Sequence, residues 1–470
     1  MSKKKIIKII LIVFVIIIIS AAVYFFVSNY DKPEGESKKE NPVEVTLEFW
    51  GLWDNTDDWQ PIIDRFENEI HDWNGQKVKV KINYTKKDYS SYEKDLQKAY
   101  ENNQSPDIFM LSNYWLKRYQ EKIEPLSRNE AYIKEYDLID SEEIMNIFPV
   151  NILPELIVDD LYLYALPTYS DSLALYYNKD ILKEAGIETP PATWEDLKKD
   201  IKKLTVLGRN NEVKQSAISL GGGTKINRSC DILAVLMLQG GARIIDENGN
   251  IDFNREVNVN TTEGTRQRNP GPLAIQFFME FSDPKKEIYT WNSIDTKNSL
   301  EDFASQKTAM IINFGYQQKN LLALNSGLNY EIAPLPQLEN STEINISNVW
   351  LPTVSNQNSC SVKNNNDSKI DCTKIAWSFL SFANQKENIS YYLESTGKAA
   401  ARKDLIEEQK QSESALSVFA AQAETTTYYN KFDDKIEGIF VNMLDNIDSD
   451  RENWEEKMNS AATEIENLKN

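Results

Sequence analysis

The side chains able to do chemistry in this chain form a narrow set. The 470 residues contain one histidine, His71, and three cysteines, beside 10 Trp, 22 Tyr and 18 Phe. One imidazole supplies neither a histidine-dependent triad nor a multi-histidine metal centre, and it reads as a lone surface histidine. Cys230 stands in an apolar stretch, where a thiol packs as a small hydrophobe. Cys360 and Cys372 flank the segment SVKNNNDSKID, and a disulfide between them would close that loop in an exported protein. A CxxC pattern is absent, and Gly221-Gly222-Gly223 lacks the spacing of a phosphate loop. What the chain has in quantity is aromatic rings with Asp, Asn and Arg among them. That combination suits sugars, whose flat apolar faces stack on rings and whose hydroxyls pair with side chains that hydrogen-bond two at a time.

Carboxylates are plentiful enough for the acid pair of a glycoside hydrolase. The chain shows neither eight βα repeats nor a catalytic motif, so it reads as a binder rather than an enzyme. Formal charge is −20, and the first thirty residues hold four lysines and no acid, which leaves −24 on the rest. Such a body repels nucleic acid, whose binding depends on neutralised phosphates. The single histidine disfavours a metal site, and no cofactor is implied.

The elements that must position these residues follow from hydrophobic periodicity. Ile9 to Val27 carries no charge and, at ~1.5 Å per residue, spans close to the ~30 Å hydrocarbon thickness of a bilayer. The lysines before it orient the N-terminus inward, so residues 1–30 read as a single-pass anchor with the body outside the cell. A cleaved signal peptide, with Ser20 and Ala22 before the cut, is the alternative. Residues 31–42 are charged, apolar-poor and proline-bearing, a solvated tether. VEVTLEFW from Val43 alternates as a half-buried strand does, Pro61 to Ile70 is amphipathic, and SPDIFML from Ser105 is a turn and a buried strand; strands separated by helices argue a parallel α/β sheet. Ligands of such sheets lie at the carboxyl ends of strands. Trp50, Trp53 and Asp54 follow the first strand, and Asn113, Tyr114 and Trp115 follow the SPDIFML strand.

The segment Tyr164 to Leu197, YALPTYSDSLALYYNKDILKEAGIETPPATWEDL, joins a polar stretch, a buried strand, a helix capped by Asn178, Gly186, Pro190-Pro191 and a second helix opened by Thr193 and Asp196. In that order it resembles the domain crossover of extracellular solute-binding proteins of carbohydrate ABC transporters, the maltose-binding-protein-like group. SLEDFASQKTAMIIN leading into Phe314-Gly315-Tyr316, YEIAPLP ending at Pro336, and the Gly397 to Arg402 turn resemble later parts of the same family, from Val43 to Lys469. Missing is the lipid-bearing cysteine near the N-terminus that many relatives carry. Residues 254–272 and 360–372 look like local insertions.

The resemblance implies an α/β, two-lobe periplasmic-binding-protein-like fold of type II behind one transmembrane helix. Lobe one is expected to combine 43–169 with 346–398, and lobe two 170–345 with 399–470. It further implies hinged closure on a sugar or oligosaccharide, delivery to ABC permease subunits and a monomeric state. Binding of a peptide, polyamine or phosphodiester, a sensory ectodomain and a glycoside-active enzyme remain the alternatives. The resemblance matches Asn113, Tyr114, Asp171 and Tyr316 to ligand contacts of relatives, and with Trp53 and Asp54 at the end of the first strand and Tyr169 and Trp350 at the crossings these are the expected ligand contacts. Trp50, Asn227, Arg228, Trp291 and Arg402 are weaker candidates.

Overall fold

A computed structural model describes residues 13–25, 41–73, 75–158, 162–246, 249–261, 264–292, 297–357, 360–363, 370–428 and 434–468. In chain order the elements that matter here begin with β1 (Val43–Gly51), α1 (Thr56–Glu67), β2 (His71–Trp73), β3 (Gln76–Lys86), α2 (Tyr89–Glu101) and β4 (Ile108–Ser112). Then come β5 (Leu173–Asn178), β6 (Val206–Leu207), β7 (Val213–Ile218), α3 (Ser229–Gly240), β8 (Thr308–Phe314) and β9 (Tyr330–Ala333). Last are β10 (Trp350–Val354), β11 (Ser361–Lys363), α4 (Lys386–Thr396) and α5 (Lys403–Lys410).

Two sheets form two lobes. The first runs β10-β4-β1-β3-β2, with β11 also on β1, and the second β9-β5-β8-β7-β6. Both are mixed rather than purely parallel. β1 is parallel to β3 and β4, and β8 to β7, but β10 runs antiparallel to β4 and both β8 and β9 antiparallel to β5. Strands β5 and β10 enter their sheets from inter-lobe crossings, so they arrive against the βα direction.

Local chemistry explains the elements. β1 buries Val43, Val45, Leu47 and Phe49 on alternate positions, while all of β4 and all of β8 is buried, as a strand covered on both faces requires. Asn178 accepts hydrogen bonds from the Asp180 and Ile181 amides at 3.0 Å each. Thr193 and Asp196 form a reciprocal cap, with the Asp196 amide donating to the Thr193 hydroxyl at 3.1 Å and that hydroxyl donating to the Asp196 carboxylate at 2.8 Å. α3 ends at Gly241, whose φ of 93° is left-handed, a conformation glycine adopts without strain.

The chain crosses between lobes along three adjacent segments. Ser172 pairs with Ser347, and Ser170 pairs antiparallel with Ala399. The Ser347 hydroxyl also donates to the Asp171 carbonyl. Residues just past the third crossing stay with lobe one, although the sequence reading groups them with lobe two. Arg402 donates to the Asn384 carbonyl at 2.6 Å, Lys403 to the Met145 carbonyl at 2.9 Å, and Glu408 of α5 pairs with Lys386 at 2.6 Å. Contact with lobe two comes later, at Gln422, which accepts from the Leu335 amide at 2.7 Å, and at Asp445, which accepts from the Gly223 amide at 2.9 Å and the Thr224 hydroxyl at 2.6 Å. The Asp445 bonds fill the triple-glycine loop with an internal carboxylate.

Cys360 and Cys372 are joined by a disulfide with Cα atoms 5.9 Å apart, and Cys230 is buried and free. Residues 13–25 are helical, and large apolar side chains among them lie exposed. Among the described residues no helix is long and apolar enough to cross a membrane. The rest of the expected span (9–12 and 26–27) and most of the expected tether (31–40) lie outside the described residues.

Candidate ligand-binding site

The two lobes meet where the strands end. On the lobe-one side, β1 runs out into Trp53, and β3 into Tyr89 at the start of α2, whose cap Asp88 accepts from the Ser90 amide at 2.8 Å. Lys86 fixes the first turn by donating to the Trp53 carbonyl at 3.1 Å and to the Asn55 side chain at 2.9 Å. The Trp53 ring lies 5.1 Å from Tyr89 and 5.9 Å from Trp350, and Trp350 lies 5.1 Å from Trp115. Trp115 and Trp350 are buried, whereas Trp53 is 49% exposed and Tyr89 44% exposed. Two buried indoles thus support two open rings, an arrangement that holds ring faces in place before any ligand arrives.

The lobe-two side is polar. Asn227 accepts from Asn313 at 2.7 Å and from Gln317 at 3.0 Å. Arg228 adopts a left-handed conformation with φ 64° at the start of α3, which costs on the order of 1 kcal/mol for a residue with a Cβ. Its guanidinium pairs with Asp231 at 2.6 Å and sits 5.2 Å over the Phe314 ring. Tyr316 stacks beside Phe314 at 6.2 Å and is 44% exposed. The two sides touch directly, for the Tyr114 hydroxyl of lobe one donates to the Asp231 carboxylate of lobe two at 2.9 Å.

At the inter-lobe crossings the carboxylates expected to meet ligand are committed elsewhere. Both oxygens of Asp54 are bonded, one to the Lys398 ammonium at 2.6 Å and the other to the Tyr392 hydroxyl at 2.8 Å. Burial alone would raise the Asp54 carboxyl, but Lys398 and these bonds outweigh it and hold the group below its ordinary range. Asp171 accepts from the Gly315 amide at 2.6 Å and the Tyr316 amide at 3.2 Å. Its burial pushes the carboxyl up to about 7, against the pull of those amides and of Lys398. The Tyr169 hydroxyl accepts from the Trp350 amide at 2.9 Å, and its ring lies 4.2 Å below the Lys398 ammonium.

The other expected contacts divide in the same way. Asn113 is fully buried and ties β4 to the second crossing, accepting from the Val349 amide at 3.0 Å and donating to the Ser347 carbonyl at 3.2 Å. Trp50 is partly buried under Lys87, 3.6 Å above its ring. Two rim assignments need correction. Trp291 is 1% exposed and belongs to the lobe core, because a large indole gains most from full burial. Arg402 is buried and spends its guanidinium on the Asn384 carbonyl and, through two nitrogens, on Asp404. The sequence reading missed Tyr89, Asp231 and Lys398. Tyr89 had a signal, since it follows a capping Asp at the end of an alternating strand as Trp53 follows β1. Asp231, one acid in an otherwise apolar helix, had a weaker one.

No group of three or more His, Cys, Asp or Glu among the described residues could hold a metal ion. A putative binding protein of Brucella abortus is 48% identical over 48 residues, which cover 10% of this chain and 12% of that relative. A solute-binding protein of Thermotoga lettingae, solved with α-D-tagatose, aligns with a TM-score of 0.63 at 18% identity over 89% of this chain and 98% of that one. The cyclic α-maltosyl-1,6-maltose binding protein of Arthrobacter globiformis aligns at 0.68 and 15% identity over 90% and 98%. At those identities the structures establish the shared two-lobe fold. The family described as bacterial extracellular solute-binding protein matches residues 53–389. That span takes in the strand-end rings of lobe one, the polar side of lobe two and two of the three crossings, and the chain belongs to this family of binding proteins.

Proposed function

We propose that the chain is a membrane-anchored extracellular binding protein that captures a sugar or oligosaccharide by closing its lobes and passes it to an ABC importer. The observation that carries this reading is the pairing of two open rings, Trp53 and Tyr89, with a polar opposite side around Asn227, Arg228 and Tyr316. Rings take the apolar face of a pyranose, and the polar side takes its hydroxyls. The α-D-tagatose bound to the Thermotoga protein and the cyclic maltosyl-maltose bound by the Arthrobacter protein support the same class. Residues 9–27 hold the protein at the membrane, supported by the exposed apolar side chains of the helix at 13–25.

The full chain in detergent micelles is melted with tagatose, maltotetraose, a cyclic maltooligosaccharide, an oligopeptide and glycerophosphocholine in turn. A bound ligand at ~100 Kd adds about 2.7 kcal/mol to stability and raises the melting point. A shift with at least one carbohydrate is expected. No response to any sugar with a response to the peptide or the phosphodiester removes the carbohydrate assignment. Sizing the membrane fraction after an alkaline wash tests the anchor, and a shortened, soluble product overturns it.

A further inference from the structure

The hinge holds a cation that serves both sides of the cleft. Lys398 follows Gly397, whose φ of 68° turns the chain out of α4 and into the third crossing. Its ammonium donates to Asp54 at 2.6 Å and to the Tyr392 hydroxyl at 2.7 Å, and it lies over the Tyr169 ring. Asp54 directly follows Trp53, the open ring of lobe one. Ser170 pairs antiparallel with Ala399, its amide donating to the Ala399 carbonyl at 2.8 Å. In an antiparallel register the residue after Ser170 lies across from the residue before Ala399, which places Asp171 beside Lys398, and the Lys398 charge acts on the Asp171 carboxylate. The Asp171 carboxylate in turn holds the Gly315 and Tyr316 amides, which set the open ring of lobe two.

We propose that Lys398 is a positioning residue for ligand binding, one partly buried cation that orders the Trp53 turn through Asp54 and the Tyr316 turn through Asp171. The role rests on the assignment of these two rings to the ligand site. The charged and titratable groups around the ammonium are Asp54 from the turn after β1, Tyr392 from α4, and Tyr169 and Asp171 from the first crossing. Tyr84 of β3 stands next, its hydroxyl donating to the Asp54 carbonyl at 3.0 Å. The ammonium is the only cation in that set. Removing it leaves the buried Asp54 carboxylate with no cationic partner on the lobe-one side and takes the nearby positive charge from Asp171 on the other.

Site-resolved hydrogen exchange on the full chain, without ligand, tests the role. In Lys398→Met the Gly315 and Tyr316 amides and the amides of residues 52–55 are expected to exchange about tenfold faster, while the Val80 and Ile82 amides of β3 are unchanged. A merely structural loss would raise exchange across the lobe-one core and leave Gly315 and Tyr316 alone. If the single variant does not fold, Asp54→Asn with Lys398→Met removes both charges together. That pair is expected to restore protection near Trp53 but leave Gly315 and Tyr316 fast. Unchanged protection at Gly315 and Tyr316 in whichever variant folds overturns the proposal. Since no ligand is used, a protein that binds no sugar yet shows this pattern keeps the hinge role and loses only the carbohydrate reading.

Discussion

The two sides of the cleft solve different problems with different chemistry. Lobe one presents rings supported by rings, Trp53 and Tyr89 on Trp115 and Trp350. Lobe two presents amides and a paired Arg228–Asp231 around a single open ring, Tyr316. Apolar support is insensitive to small shifts because stacking is broad in angle, whereas a hydrogen-bonded network works only in a narrow geometry. Lobe one is therefore the half held by broad ring packing, and lobe two the half held by narrow hydrogen-bond geometry.

The largest expected effect breaks the support on lobe one. Trp350→Ala removes a buried indole touching Trp53, Tyr89, Tyr92 and Trp115. Such truncations cost about 3–5 kcal/mol, and denaturant unfolding should show that loss together with lost binding. A drop in affinity with no change in the unfolding midpoint would mean that Trp350 acts as a contact and not as a support. Next in size is the bond between the sides. Tyr114→Phe deletes the hydroxyl that donates to Asp231 and should cost the contact between the two sides about 1.5–3 kcal/mol, the range for a hydrogen bond to a charged group. Small-angle scattering of the unliganded chain should then show a larger radius of gyration than the parent, and equal radii would show that this bond does not hold the lobes together.

The open rings come third. Tyr316→Ala is expected to weaken sugar binding more than tenfold, about 1.5 kcal/mol, with little change in melting point because the ring is already half in solvent. Trp53→Ala should behave alike. Calorimetric titration with whichever carbohydrate shifts the melting point decides it, and parent-like affinity in either variant removes that ring from the site.

How much of this was legible follows the same divide. Alternation gave β1, the apolar run gave β4, and the cap residues Asn178 and Thr193 marked real helix starts. Those signals are local, so a sequence carries them plainly. Trp53 could be proposed because the end of β1 is predictable from the same pattern, and Trp350 because the family resemblance marks the second crossing. On the polar side Asn227, Arg228 and Tyr316 could be proposed, but Asp231 was not legible, because it gains its meaning only from Tyr114, 117 positions away. Asp54 misled for the same reason. A carboxylate beside a strand-end Trp looks available until Lys398, 344 positions on, is seen to occupy it. Trp291 and Arg402 looked like rim residues, but burial is decided by packing from distant segments. The mixed sheets escaped too, since strand direction is set by which crossing delivers the strand.

The smallest expected effect sharpens the comparison by placing a ring of lobe one outside the cleft. His71 stacks on Trp73 at 4.7 Å, lies 4.4 Å from Phe66 and bonds the Phe66 carbonyl at 3.2 Å. Burial pushes its pKa below the ordinary value, against the Phe66 carbonyl and the nearby Glu69 and Asp137. Between the lowered folded value and the ordinary one near 6.5, the unfolded chain binds a proton that the folded chain does not. Its contribution is therefore present above about pH 6.5 and is lost as pH falls. His71→Gln keeps a side chain able to donate to the Phe66 carbonyl but does not titrate. From about pH 7.5 to 5.5 the parent should lose slightly more melting temperature than this variant, while sugar affinity changes equally in both. The buried carboxylates Asp107 and Asp171, each pushed up to about 7 by burial, act with the opposite sign but are common to both proteins and cancel in the difference. If His71→Gln alters the pH dependence of affinity instead, rings far from the cleft influence binding, and the division of lobe one into open rings and supporting rings fails.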